Sequence, residues 1–442
     1  IGTVVTSFPD GRLAISDLNL SAAAITLAGD IDIGPDGLPE KMNIRGEISS
    51  EAGAILLPVS GPATRVDRVD LDVQFDAAEK DGWAGDFHVL GLRRAGFSAK
   101  ELNLGGRGRI VSGPAASVSA AIEFSATELD LGNPEATQAL GEAVSGSAQI
   151  DWTSGAPLRL SDLRIDGETY ALDGSADVSF ASTGPAISGK AQFKADELAA
   201  FSGLAGRTLG GAVTFSTEFE VEPLAGNFDV SAKGSSNDLI VSHPQADRIL
   251  AGTTELDLTA RRDETGISAR LATLRSPNAE LTGQATLKSG GSSLSVSGTL
   301  RDASILVPDA AGPIRLRVNA DEDTNRAWAW QADAAMEGSR LTAAGTARDI
   351  YGTPEVAASG QFQAGDLSHF ATLARRPIAG RLEVDFDGKL ASDFSRVSAA
   401  LTGTATDLKT GTAEADRLLA GDLVFDVRGG LDGDFIYPVS YT

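Results

Sequence analysis

Cysteine is absent, and histidine occurs only three times in 442 residues. Without a thiol there is no disulfide framework, no thiolate-bound zinc or iron–sulfur site and no thiol nucleophile. His88, His243 and His369 are far apart in the chain and show no metal-ligand spacing, so structural or surface roles are expected of them. Positive charge is short: 37 Lys and Arg stand against 61 Asp and Glu, a net charge of −24. A nucleic-acid partner, which needs clustered cations to displace counterions, is therefore not expected. Long apolar runs are missing as well. The longest, AILLPV at Ala54 to Val59, falls far short of the ~20 residues that cross a bilayer. Nor is there a G-x-S-x-G elbow or a phosphate loop. Asp321-Glu322-Asp323 resembles a calcium cluster, but the glycine at the sixth loop position and the glutamate at the twelfth are lacking, so it reads as a solvated turn. Neither an enzyme nor a cofactor is expected.

What the sequence has is glycine, at 50 positions, and 42% apolar residues, enough to fold despite the charge. Apolar and polar residues alternate from end to end. Val69, Leu71, Val73 and Phe75 alternate with Asp70, Asp72 and Gln74; Val118, Ala120, Ile122 and Phe124 follow the same rule. So do Trp328, Trp330, Ala332 and Ala334; Leu382, Val384 and Phe386; and Leu423, Phe425 and Val427. Successive strand side chains point to opposite faces, so each run makes a strand with one apolar and one polar face. Pro9-Asp10-Gly11, Pro35-Asp36-Gly37, Gly113-Pro114, Ser154-Gly155 and Gly290-Gly291 supply turn chemistry between runs. An antiparallel meander is the expected product. Trp328 and Trp330 are expected to pack along its apolar face.

The chain also repeats itself. Leu13-x-Ile15-Ser16-Asp17-Leu18-x-Leu20, followed by Ile25-x-Leu27-x-Gly29-x-Ile31-x-Ile33, returns 145 positions later as Leu158-x-Leu160-Ser161-Asp162-Leu163-x-Ile165 and Tyr170-x-Leu172-x-Gly174-x-Ala176-x-Val178. A looser version runs through Leu274, Leu281, Gly283, Ala285 and Leu287. The glycine in the second strand suits a bulge or a close backbone approach. A longer repeat links Gln192, Phe193, Ala195, Leu198, Phe201, Leu204, Ala205, Arg207 and Gly211 to Gln361, Phe362, Ala364, Leu367, Phe370, Leu373, Ala374, Arg376 and Gly380, and ADRILAG at Ala246 to ADRLLAG at Ala415, all displaced by 169. This predicts a duplicated module of about 169 residues (190–358, with 359–442 a truncated second copy) of hairpins and short helices. Leu198, Phe201 and Leu204/Ala205 are expected on one helix face, with another short helix at 134–143.

SDL-containing hairpins, L-x-G strands and a helical DL…F…L..RP..G block followed by a strand such as Arg381 to Leu390 resemble the TamB-like proteins, related to AsmA-like and bridge-like lipid transfer proteins. The resemblance covers nearly the whole chain and lies in the order and recurrence of the motifs. It implies an all-β fold with a few short helices: one continuous, elongated antiparallel sheet over 1–442, curled into an open hydrophobic groove, a β-taco. The opening on Ile1 and the strand-like close FIYPVSYT read as an internal piece of a longer protein. Roughly 30 to 35 strands at about 4.8 Å each would extend on the order of 150 Å, and an open sheet of that size has to curl. Alternation alone fits the core of a sandwich or barrel as well; the repeat and the resemblance favour the groove.

The residues expected to line it are Leu13, Ile15, Val69, Leu71, Val73, Phe75, Ile122, Phe124, Leu158, Leu160, Leu172, Val178, Leu382, Val384, Phe386, Phe425 and Val427, with Asp70, Asp72, Glu383, Asp385 and Asp387 facing water. The resemblance implies a periplasmic bridge carrying phospholipid acyl chains between inner and outer membranes. It would be anchored in the inner membrane by a segment N-terminal to this one, and an outer-membrane barrel would be a possible partner. An assembly factor for outer-membrane β-proteins and a β-helical surface adhesin are the alternatives.

Overall fold

The structure is a computed structural model of the chain. It describes all residues except 1–2, 23, 36–38, 58–60, 78–81, 112–114, 182–183, 289–290, 350–353, 392–395, 433–434 and 442. Twenty-eight strands run in it, with eight helical segments among the described residues, none longer than seven residues. The chain divides into two compact units, Ile1–Gly226 and Asn227–Thr442. Each is an antiparallel sheet with its strands largely in sequence order, as short hairpins joining half-wet strands dictate. Antiparallel pairing rules out the stacked parallel coils of a β-helix.

Two of the expected turns are described in full. At Pro9-Asp10-Gly11 the Phe8 amide donates to the Arg12 carbonyl (2.9 Å) and Gly11 adopts φ 90°. At Ser154-Gly155 the Ala156 amide donates to the Thr153 carbonyl (2.9 Å). Pro35-Asp36-Gly37, Gly113-Pro114 and Gly290-Gly291 lie wholly or partly outside the described residues.

The 145-residue repeat is a bulged hairpin in both copies. Register runs Leu13↔Ile33 and Ile15↔Ile31, then jumps to Leu18↔Gly29; in the second copy Leu160↔Ala176 jumps to Leu163↔Gly174. Asp17 and Asp162, both at φ 50°, are the residues that turn the backbone. Aspartate tolerates that left-handed conformation better than most side chains. The extra residue returns Leu18 and Leu163 to the face already held by Ile15 and Leu160. The bulge thus sits on the Ser-Asp-Leu strand, not on the glycine strand. Gly29 instead marks a close approach: a Cβ there would lie 1.9 Å from the Asn43 carbonyl oxygen.

The 169-residue repeat recurs as geometry. Leu198–Phe201 and Leu367–Phe370 are single 3₁₀ turns, each continued by a four-residue α-turn, 202–205 and 371–374. Leu198 and Leu367 are buried, and so are Ala195 and Ala364 on the strands before them. Phe201 meets Phe193 edge-on at 5.8 Å, and Phe370 meets Phe362 edge-on at 5.2 Å. The ADRILAG and ADRLLAG segments form helices at 244–250 and 413–418. Each follows an aspartate at φ 49°, Asp238 or Asp407, whose carboxylate accepts from the amide of Gly252 or Gly421 (2.9 and 3.2 Å).

The helix at 134–140 is a third copy of this junction. Glu128 takes φ 47°, and Thr137 Oγ1 accepts from the Leu131 amide (3.0 Å), as Asp247 Oδ1 does from the Val241 amide (2.8 Å). His243 turns out to be a helix cap, its Nδ1 accepting from the Ala246 amide at 3.3 Å.

One expectation fails in these blocks. Leu204 was to share the buried helix face, but it is 56% exposed, and its counterpart Leu373 is 54% exposed. Leu198 and Phe201 eclipse each other in a 3₁₀ turn, and Phe201, at φ −90° and ψ 0°, breaks the winding before the α-turn begins.

Candidate functional site: the apolar face of the sheet

Directly opposed residues of an antiparallel pair lie on the same face, so register alone assigns faces across a whole sheet. In the first unit one row runs Leu20, Leu27, Gly46, Leu71, Phe87, Leu104, Phe124, Gly146, Ile165, Leu172, Phe193 and Phe215, crossing strand after strand without a polar side chain. A neighbouring row runs Ile15, Ile31, Met42, Phe75, Trp83, Gly108, Ala120, Ile150, Leu160 and Ala176. In the second unit a row runs Gly234, Leu256, Leu274, Leu281, Gly298, Leu316, Ala334, Leu341, Phe362, Val384, Gly403 and Phe425.

The twelve expected lining residues of the first unit, Leu13 through Val178, all fall on the face of its row, and the five from Leu382 to Val427 all fall on the face of theirs. Trp328 and Trp330 share the second of these faces, opposite Glu322 and Ala320, and Trp328 is 9% exposed. Asp323 ends the neighbouring strand in a turn, its carboxylate accepting from the Asn325 and Ala327 amides (2.8 and 2.9 Å). Asp70 and Asp72 lie on the opposite face, paired with His88 and Asp86; Glu383, Asp385 and Asp387 do the same in the second unit.

Glycine interrupts these rows for a steric reason. A Cβ on Gly108 would lie 1.8 Å from the Ser119 carbonyl oxygen, and one on Gly345 would lie 1.9 Å from that of Ala357. Cβ at both positions would point to the apolar side, so at these pairs the adjacent strand leans over that side. Large neighbours fill the space the glycines leave: a Cβ on Gly146 would meet the Phe124 ring at 2.6 Å.

The apolar faces are only half buried. Phe87 is 36% and Leu104 41% exposed in mid-sheet. Among the described residues the main helix-to-sheet contacts fall on the strands that flank each helical block. In the first unit Phe201 closes an aromatic group with Tyr170, Phe193 and Phe215, in which burial pushes the Tyr170 phenol pKa up. In the second, Phe370 packs on a buried group made of Ala279, Leu300, Ala303, Val307, Ala310 and Ile314.

The polar faces are laced with exposed ion pairs, including Arg45–Asp72 (2.8 Å), Arg159–Asp177 (3.0 Å) and Lys190–Glu218 (2.7 Å). A hydrogen bond from Arg68 holds the Asp70 carboxyl below the ordinary carboxylate range, and one from Arg45 does the same for Asp72. His88 lies between two carboxylates, Nε2 3.0 Å from Glu101 Oε1 and Nδ1 3.6 Å from Asp70 Oδ2. No cluster that could hold a metal ion is found among the described residues.

The sequence did not announce two features. One is a broad open depression of about 990 Å³ on the polar face of the first unit, lined by Arg45, Glu47, Asp70, Asp72, His88 and Asn103 among others. A twisted sheet is saddle-shaped, so it dips on both faces along different directions. Arg45, Glu47, Asp70 and Asp72 of the ion-pair lattice line it, and so do Leu71, Phe87, Leu104 and Phe124 of the strands that carry the apolar row. The other is the Tyr170–Phe193–Phe201–Phe215 group, whose members meet only once register is known; the recurrence of Phe193 and Phe201 as Phe362 and Phe370 was the available signal. No helix among the described residues is long and apolar enough to cross a membrane. No family model, curated protein or solved structure matches the chain.

Proposed function

We propose that the chain is a conduit for lipids, a periplasmic bridge of the TamB-like kind along whose apolar sheet face phospholipid acyl chains slide between inner and outer membranes. The observation that carries this reading is the unbroken apolar row in each unit, left half-exposed in mid-sheet. A row of half-exposed apolar side chains running across many strands calls for an occupant. An acyl chain gains about 0.8 kcal/mol per methylene removed from water, and a row of Leu, Phe, Ile and Gly offers it many stations of similar depth and no single trap. Motion along the row needs an outside bias, and no nucleotide-binding motif in the sequence supplies one. The organic matter carried is a cargo; no side chain has a chemical step to perform. An outer-membrane barrel would receive the lipid at the far end.

Photo-crosslinking amino acids test this. Placed at Leu71, Leu104, Val384 and Phe386 in cells, they should capture phospholipid, while the same probe at Asp70, Asn103, Glu383 and Asp385 should not. Equal labelling of the two faces removes the conduit reading.

A further inference from the structure

The helical blocks end in a feature that the packing does not explain. After each α-turn the chain reverses in a left-handed residue, Gly206 at φ 63° in the first unit and Arg375 at φ 54° in the second. The next amide, that of Arg207 or Arg376, closes the turn by donating to the carbonyl of Ser202 or Ala371, each at 3.2 Å. The two blocks thus hold an exposed leucine, Leu204 or Leu373, three residues before an exposed arginine in the same backbone geometry.

None of Arg207, Arg375 and Arg376 makes an ion pair with a described residue, although acidic side chains outnumber basic ones 61 to 37. In the second unit an arginine occupies the left-handed position that glycine holds in the first, a placement L side chains resist. The segment lies at the border of the apolar face: Phe201 and Phe370 are seated on Phe193 and Phe362 of the apolar rows, and the strands 210–222 and 379–391 start three residues beyond the arginines.

We infer that these two blocks are headgroup stations, where Arg207 in one unit, and Arg375 with Arg376 in the other, meet the phosphate of a phospholipid whose acyl chains lie on the adjoining apolar rows, with Leu204 and Leu373 against the glycerol end. This rests on the conduit reading and adds to it a preference for phosphate-bearing lipid. Guanidinium and phosphodiester are complementary in charge and in hydrogen-bond geometry. The repeat sets two such stations along the chain at the same point of the module.

The test compares dioleoyl phosphatidylglycerol with dioleoylglycerol, which has the same chains and no phosphate, each offered in detergent micelles to the full chain and weighed by mass spectrometry after gel filtration. The wild type should retain the phospholipid about tenfold better, the factor a charge-assisted contact of ordinary strength gives. The triple variant Arg207→Gln, Arg375→Gly, Arg376→Gln should retain both lipids equally, with dioleoylglycerol capture unchanged. Arg375→Gly alone should unfold at no lower temperature than the wild type while losing part of the preference, which separates a headgroup role from a structural one. An unaltered preference in the triple variant overturns the inference and leaves the conduit standing. Full competition by inorganic phosphate at the concentration of the lipid overturns it in favour of a free-anion site. Retention of neither lipid by the wild type overturns both readings.

Discussion

If the apolar row is the path of an acyl chain, thinning it in mid-sheet should weaken lipid capture without unfolding the sheet. Leu104 is the place to do so. It is 41% exposed, opposes Phe87 and Phe124, and has Asn103 beside it on the other face. Full burial of a leucine side chain is worth about 1.5–3 kcal/mol, so with roughly two-fifths of the side chain still in water about 0.6–1.2 kcal/mol is left for a lipid to realise. Leu104→Thr puts a β-branched, strand-forming residue in its place and gives most of that up. Capture of a fluorescent fatty acid should fall about three- to eightfold, taking 1.36 kcal/mol per decade. Adding Phe87→Thr in the same row should lower it further. The melting temperature guards against trivial loss, and Asn103→Thr is the matched control on the polar face. An unchanged affinity in the double variant would refute the argument. So would an equal drop in the control, because the ligand would then be held by the polar depression and not by the row.

Two further outcomes follow from the packing and the charge. Phe201→Ala and Phe370→Ala should each destabilise their own unit by about 1.5–2.5 kcal/mol, half the cost of removing a fully buried ring; urea titration should show it, and Phe370→Asp should cost more. The carboxyls of Asp70, Asp72 and Asp166 are held below their ordinary range by Arg68, Arg45 and Arg164. Their contribution to stability is therefore whole above the unfolded value of about 3.9 and fades as pH falls through the lower folded values. Thermal melts should fall off below about pH 4, and less steeply in Asp72→Asn; a melt insensitive to acid would contradict the ion-pair lattice.

Much of this was legible because a strand states its faces every second residue. Val69 to Phe75 and Leu382 to Phe386 needed no structure to be placed on one side. What stayed hidden depends on partners distant in sequence or on winding. The parity change between Ile15 and Leu18 was visible, yet only register shows that Ser16-Asp17 absorbs it and that Gly29 is a close approach. Leu204 fits an α-helical face on paper, but a 3₁₀ turn precedes it and throws it out of phase. The polar depression comes from twist, which belongs to the set of strands and not to any one of them. Tyr170 and Phe201 are 31 positions apart (201 − 170) and meet through a helical turn.

Because each strand in these sheets leans chiefly on the two beside it, each unit behaves as a chain of nearest-neighbour couplings, in which stability adds up hairpin by hairpin. Such an object has no natural length. A hairpin can be inserted or deleted without redesigning a centre, provided the row residues at the seam match, and a damaging substitution weakens its own stretch before it weakens the whole. The bulged hairpin returning after 145 residues and the helical block returning after 169 are local motifs of this kind, each copy completed by the strands beside it and not by a shared centre.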